Sequence, residues 1–168
     1  MPLVRQKVFA YITQGDRLLV FRHPHAPEAG IQVPAGTVEA GEPLADAVLR
    51  EAGEETGLRE LALVAYLGDH VRAMSDVGRD EVHHRHFYHL HYTGNAPETW
   101  QQVEHDPSNG SSASHLFEFY WVRLPCDVPP LIADHDALLP VLCEHLFGNH
   151  QAEPRQPPSV ESHRSHHT

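Results

Sequence analysis

The stretch GTVEAGEPLADAVLREAGEETGL, residues 36–58, decides how the rest of the chain is read. Pro43 suits a first helical position and Gly57 suits a helix stop, so the spacing predicts a helix over Leu44–Thr56. On a wheel of that helix Leu44, Ala47 and Val48 start an apolar stripe, and the same stripe continues through Glu51, Glu54 and Glu55 to Leu58. Acids therefore interrupt a face that points at a core. Carboxylates at i, i+3 and i+4 lie about 5–6 Å apart at Cβ and repel one another unless a cation sits among them. Two readings follow from spacing alone: a solvated acidic face, or a cluster that accepts a hard divalent cation such as Mg²⁺. Arg50, four residues before Glu54, is placed to orient the acids. Gly53 costs about 1 kcal/mol relative to Ala inside a helix, which suggests that close approach is valued there.

Working outward, residues 4–12 and 17–23 are β-prone and flank the turn Gln14-Gly15-Asp16, which predicts a hairpin. Residues 31–34 and the piece between Gly36 and Gly41 read as short extended runs. After the helix, residues 61–71, 82–92 and 116–124 read as strands, and 134–147 as a second helix stopped by Gly148. Residues 93–115, rich in Asn, Pro, Ser and Gly, read as a long loop, a kind of segment that often carries function. The expected organisation is one domain over residues 1–149 and a disordered, histidine-rich tail over 150–168.

Composition narrows the function classes. In 168 residues, 12 Lys+Arg face 23 Asp+Glu, a net charge of −11 with histidine neutral, which argues against long nucleic acid and anionic membranes as partners. The longest apolar run, residues 61–67, is far short of a membrane span of about 20 residues. Two cysteines, Cys126 and Cys143, make no disulfide framework, and the N-terminus lacks the layout of a signal peptide, so the expected compartment is the cytoplasm.

The run Gly36-x5-Glu42-x7-Arg50-Glu51-Ala52-Gly53-Glu54-Glu55-Thr56-Gly57-Leu58 resembles the complete Nudix box, with every fixed position filled. The order of strands and helices resembles that family across residues 3–148. The resemblance, of MutT-like type, implies an α/β fold, an α/β/α sandwich around a mixed β-sheet. It implies hydrolysis of a nucleoside diphosphate linked to another moiety, by water attack at phosphorus with Mg²⁺ (or Mn²⁺). Position by position, Glu51, Glu54, Glu55 and the Gly36 carbonyl would be the metal ligands, Arg50 would orient the glutamates, and Glu42 would support the junction into the helix. The intact acidic set favours a catalyst, the alternative being an inactive Nudix-fold module that binds or senses a nucleotide.

The base that activates water in such enzymes often comes from a loop outside the box. Glu104, which follows Trp100 with a MutT-like spacing, is the expected base, and Glu118 is its competitor. Trp100 is the leading candidate for stacking a nucleobase, and Arg22 and Arg85 are candidate phosphate clamps. The histidines at 83, 84, 86, 89 and 91 lack a recognisable metal-ligand spacing and read as a solvated or substrate-facing strand. No proline occurs between Pro43 and Pro97, which disfavours the ADP-ribose-cleaving group. Nucleoside triphosphates, sugar nucleotides and RNA ends stay open as substrates, and a homodimer is compatible with the sequence.

Overall fold

The computed structural model describes residues 1–105 and 114–148. The strands are β1 (Leu3–Gln14), β2 (Arg17–Arg22), β3 (Ala35–Thr37), β4 (Leu61–Ala73), β5 (Glu81–Tyr92), β6 (Thr99–His105) and β7 (Ser114–Arg123). The helices are α1 (Leu44–Thr56) and α2 (Leu139–Phe147). One mixed seven-stranded sheet runs in the order β4-β5-β1-β2-β7-β6, with β3 added to β1.

The alternation of β1 explains the layers. Val8, Ala10 and Ile12 face α1 and pack with Leu19, Phe21, Ala47, Val48 and Ala52, while Phe9 and Tyr11 face the other side and pack with Val20, Phe87 and Leu142 of α2. β1 and β2 pair only at Thr13↔Leu18 and Gln14↔Arg17, across the turn where Gly15 takes a φ of 62°. Beyond that the strands part. β5 runs parallel along one edge of β1 from Leu3 to Thr13, so β3 takes the edge that β2 leaves, pairing Lys7↔Thr37, Val8↔Gly36 and Phe9↔Ala35. The start of the 36–58 stretch is thereby held in a split in the sheet.

Three expectations need correction. The segment read as a loop over 93–115 contains β6, which pairs with β7 from Thr99↔Tyr120 to His105↔Ser114. Its polar sequence reflects its place at the edge of the sheet, where only one neighbour and a limited apolar face are required. The helix expected over 134–147 begins only at Leu139, after a 3-10 turn at Ile132–Asp134 in which Ala133 and Asp134 have positive φ. Pro140 lacks an N–H and is accommodated in the first turn of α2. Pro43 likewise stands just before α1, with extended dihedrals, rather than inside it. The tail at 150–168 lies outside the described residues. Among the described residues no helix is long and apolar enough to cross a membrane.

The Tyr11 hydroxyl joins the strand core to the C-terminal segment, donating to the His135 carbonyl at 2.6 Å and accepting from the Leu138 N–H at 3.2 Å. Removing it in Tyr11→Phe leaves both backbone groups without this partner. Urea unfolding of that variant is expected to show a loss of about 1–3 kcal/mol. Unchanged stability would contradict the bridging role.

Candidate active site

α1 ends where Gly57 adopts a φ of 76° and its N–H bonds to the Gly53 carbonyl. Ala47, Val48 and Ala52 seat it on the sheet, and the acids of the same stripe therefore face the split beside β3. They differ in depth. Glu55 is buried and accepts a hydrogen bond from the Ala35 N–H at 3.2 Å, Glu51 is half-buried, and the Glu54 side chain is exposed.

Arg50 gathers the acids. Its Nε and Nη2 donate to the two oxygens of Glu42, both at 2.8 Å, and Nη1 reaches Glu51 at 2.9 Å and Glu54 at 3.4 Å. Nη2 also donates to the Thr37 carbonyl at 3.2 Å, which ties the helix to β3. Glu42 accepts the Glu39 N–H as well, at 3.1 Å. The paired guanidinium and this backbone bond hold the Glu42 carboxyl down at about 2. Burial acts oppositely on Glu51 and raises its pKa, an effect that the bond from Arg50 moderates.

Gly36 is required by contact rather than by its dihedrals. A Cβ at that position would overlap Cδ of Glu51. The absent side chain makes room for that carboxylate against the backbone of β3. The Glu51, Glu54 and Glu55 carboxylates and the Gly36 carbonyl are all hard oxygen donors, the type that Mg²⁺ and Mn²⁺ accept. The donor chemistry, and the close approach of Glu51 that Gly36 allows, suit a divalent cation. Among the described residues no three His, Cys, Asp or Glu side chains already converge on one point. Glu51 and Glu54 are drawn to Arg50 instead.

A cavity of about 540 Å³ opens beside Glu55 and Ala35, with Lys7 and Arg85 on one flank and Phe21 and Phe117 on the other. The structure brings Arg85 to this cavity and places the other binding candidates elsewhere. Arg22 is exposed and bonds Oε1 of Glu118 through Nε and Nη2 at 2.9 and 2.8 Å. Glu118 is therefore committed to Arg22, which lowers its pKa, and it does not line the cavity. Trp100 stacks on Phe119 at 5.3 Å, donates to the Thr56 carbonyl at 3.0 Å and lines a separate cavity of about 410 Å³ at the end of α1. The backbone of Glu104 is in register with His115, and its side chain lies outside the described residues.

Four of the five histidines of β5 are taken up individually: His83 by Glu81, His84 by Asp69, His86 by Gln6 and Tyr66, His89 by Thr13. Sequence reasoning missed Lys7, His23 and His135, which also line the cavity. His135 accepts the Val33 N–H at Nδ1, 3.1 Å away, and burial lowers its pKa to about 3. Nothing in its neighbourhood in the sequence marks it, because 134–147 has the pattern of a helix.

The Glu42–Arg50 pair sets a pH dependence. Its pKa is depressed in the fold, so the stability it contributes is present above the unfolded value near 4.5 and fades as pH falls toward about 2. Glu51, raised by burial, works in the opposite sense, losing stability as pH rises through its folded pKa. Glu42→Gln is expected to flatten the acid limb of the stability curve between about 4.5 and 2. An acid limb identical to wild type in a pH series of thermal melts would contradict the pairing.

Comparison with known proteins follows the same lines. A family model for the NUDIX domain matches residues 3–129. No curated protein matches. Among solved structures, a MutT NUDIX hydrolase from Burkholderia pseudomallei is 28% identical, with a TM-score of 0.55, covering 83% of this chain and 95% of that one. The E. coli ORF135 protein is 22% identical, with a TM-score of 0.57 and coverage of 90% and 96%. A UDP-X diphosphatase is 15% identical, with a TM-score of 0.58 over 86% of this chain, which spans 62% of that longer protein. With its box intact from Gly36 to Leu58 and the match running from strand β1 past β7, the chain belongs to the Nudix family of pyrophosphate hydrolases.

Proposed function

We propose that this protein hydrolyses the pyrophosphate linkage of a small nucleotide, a nucleoside diphosphate bearing a further moiety, with Mg²⁺ or Mn²⁺ held by Glu51, Glu54, Glu55 and the Gly36 carbonyl. The observation that carries the reading is the Arg50 cluster: one guanidinium holds Glu42, Glu51 and Glu54 beside a glycine that must lack a side chain. A solvated acidic face would require neither. The family match and the MutT hydrolase at 28% identity support it. The setting is taken to be the cytoplasm, in keeping with two unpaired cysteines.

When bound, a divalent cation supplies charge neutralisation of the pyrophosphate and a water of lowered pKa. The chain's own residues do the rest. Arg50 fixes Glu51 and Glu54 in orientation. The Ala35 N–H fixes Glu55 at the cavity wall. The proton of the attacking water is assigned to the carboxylate of Glu104, a role supported by position: it pairs with His115, whose ring lies 6.4 Å from the cavity-lining His23. Glu118, engaged by Arg22, is the weaker candidate.

A nucleotide panel with Mg²⁺ and with Mn²⁺, both products identified for each substrate, tests the reading. Cleavage at a pyrophosphate linkage is expected, and no cleavage of any nucleotide would refute it. Glu54→Gln and Glu55→Gln keep shape and remove charge, so turnover is expected to fall by about two orders of magnitude or more with the fold intact. Millimolar Mg²⁺ is expected to raise the melting temperature by linkage. Near-wild-type turnover of both variants, or no thermal shift, would remove the metal assignment.

A further inference from the structure

Arg85 is a buried cation with no direct ion-pair partner among the described residues; Asp134 and Asp76 act on it from a distance, opposed by Arg72. Only 2% of the residue is exposed, and among the described residues no carboxylate lies within ion-pair distance of it. Its guanidinium lies over the Phe9 ring, 4.7 Å from the centroid, donates through Nη1 to the Ala133 carbonyl and touches Sδ of Met74 through Nη2 at 3.7 Å. Nε is buried with no partner. Burial lowers the pKa to about 10, so the group stays charged at neutral pH. A desolvated charge with an unmet donor is costly unless an anion completes it.

The strand register says where that anion would lie. Thr37 on β3 is the partner of Lys7 on β1, and Lys7 is the partner of Arg85 on β5. These three positions form a row leading from the box backbone to the buried guanidinium. Lys7 donates to the Thr37 hydroxyl at 2.9 Å and, like Arg79 and Arg85, lines the cavity beside Glu55. His83, two residues before Arg85 on the same face, also has a buried ring nitrogen, Nδ1, with no partner. The opposite flank is aromatic: the ring centroid of Phe117 lies 4.9 Å from that of Phe21 and 4.8 Å from that of His23. One cavity thus brings together the Glu55 carboxylate, the cations Lys7, Arg79 and Arg85, and the rings of Phe21 and Phe117.

We infer that Arg85 is a specificity-determining residue: with Lys7 it takes an anionic group beyond the two phosphates of the scissile linkage, while a base stacks on the aromatic flank. The inference rests on the hydrolase reading and narrows it. The preferred substrate class is a nucleotide with a charged distal phosphate, such as a nucleoside triphosphate, over one whose distal moiety is a neutral sugar.

Two measurements test it. In EDTA, with no cation available, inorganic tripolyphosphate is expected to raise the melting temperature of the wild-type protein, and Arg85→Met is expected to lose that shift. With Mg²⁺, Arg85→Met is expected to lower the ratio of kcat/KM for a nucleoside triphosphate over the matching nucleoside diphosphate sugar by about thirtyfold. Should Arg85→Met not fold, Arg85→Lys gives the reading, since it keeps the charge and loses the planar fork, with KM for the triphosphate rising about tenfold. No shift in wild type, an undiminished shift in a folded variant, or an unchanged ratio or KM overturns the inference. A wild-type shift that Arg85→Met abolishes, in a protein that cleaves no nucleotide, supports Arg85 as the anion site and refutes the hydrolase reading instead.

Discussion

Arg50 is the contact on which the site depends. Glu39, Glu42, Glu51 and Glu54 all lie within ion-pair distance of its guanidinium. Without it, Glu51 and Glu54 on successive turns would repel each other beside a partly desolvated surface. The bidentate bond to Glu42 fixes the loop before α1, and the bond to the Thr37 carbonyl fixes β3. One side chain therefore sets the distance between the two backbone segments that bring Gly36 against Glu51. The pKa of Arg50 is raised chiefly by its hydrogen bond to Glu42, so the guanidinium stays charged.

The sheet provides what Arg50 holds together. Because β1 and β2 pair over only two residue pairs, β1 is left with an open edge, and β3 fills it. The parting strands also carry different chemistry, Lys7 with its neighbour Arg85 on one side and Phe21 with its neighbour Phe117 on the other. A cavity at such a split takes its electrostatic asymmetry directly from strand order. Glu55 comes from α1, Lys7 and Arg85 from β1 and β5, and Phe21 and Phe117 from β2 and β7. Glu55 and Arg85 both line this cavity, so an acid and a base face one space.

The box was legible because it is local. Helix spacing, Gly57 and the run of acids lie within 23 residues, and α1 has the bounds that pattern predicts. Strands β1, β2, β4, β5 and β7 were legible from β-branched and aromatic alternation. What escaped the sequence is what depends on partners far away in the chain. β6, with its Gln and Glu residues, is a strand because β7 offers it an edge. His135 reaches the cavity because the 3-10 turn before it replaces the helix that apolar spacing suggested. The candidate binders divided for the same reason. Arg85 meets the cavity through its register with Lys7, Arg22 is claimed by Glu118 across β2 and β7, and Trp100 is claimed by Thr56.

A direct titration with Mn²⁺ followed by electron paramagnetic resonance tests, without recourse to any substrate, whether the glutamates gathered by Arg50 form a divalent-cation site. Wild-type protein should bind Mn²⁺ at micromolar to millimolar concentration, Mg²⁺ should displace it, and Glu51→Gln combined with Glu54→Gln should abolish the binding while the melting curve stays cooperative. Undiminished Mn²⁺ binding in that double variant, or no binding in wild type, would contradict a cation site at these glutamates.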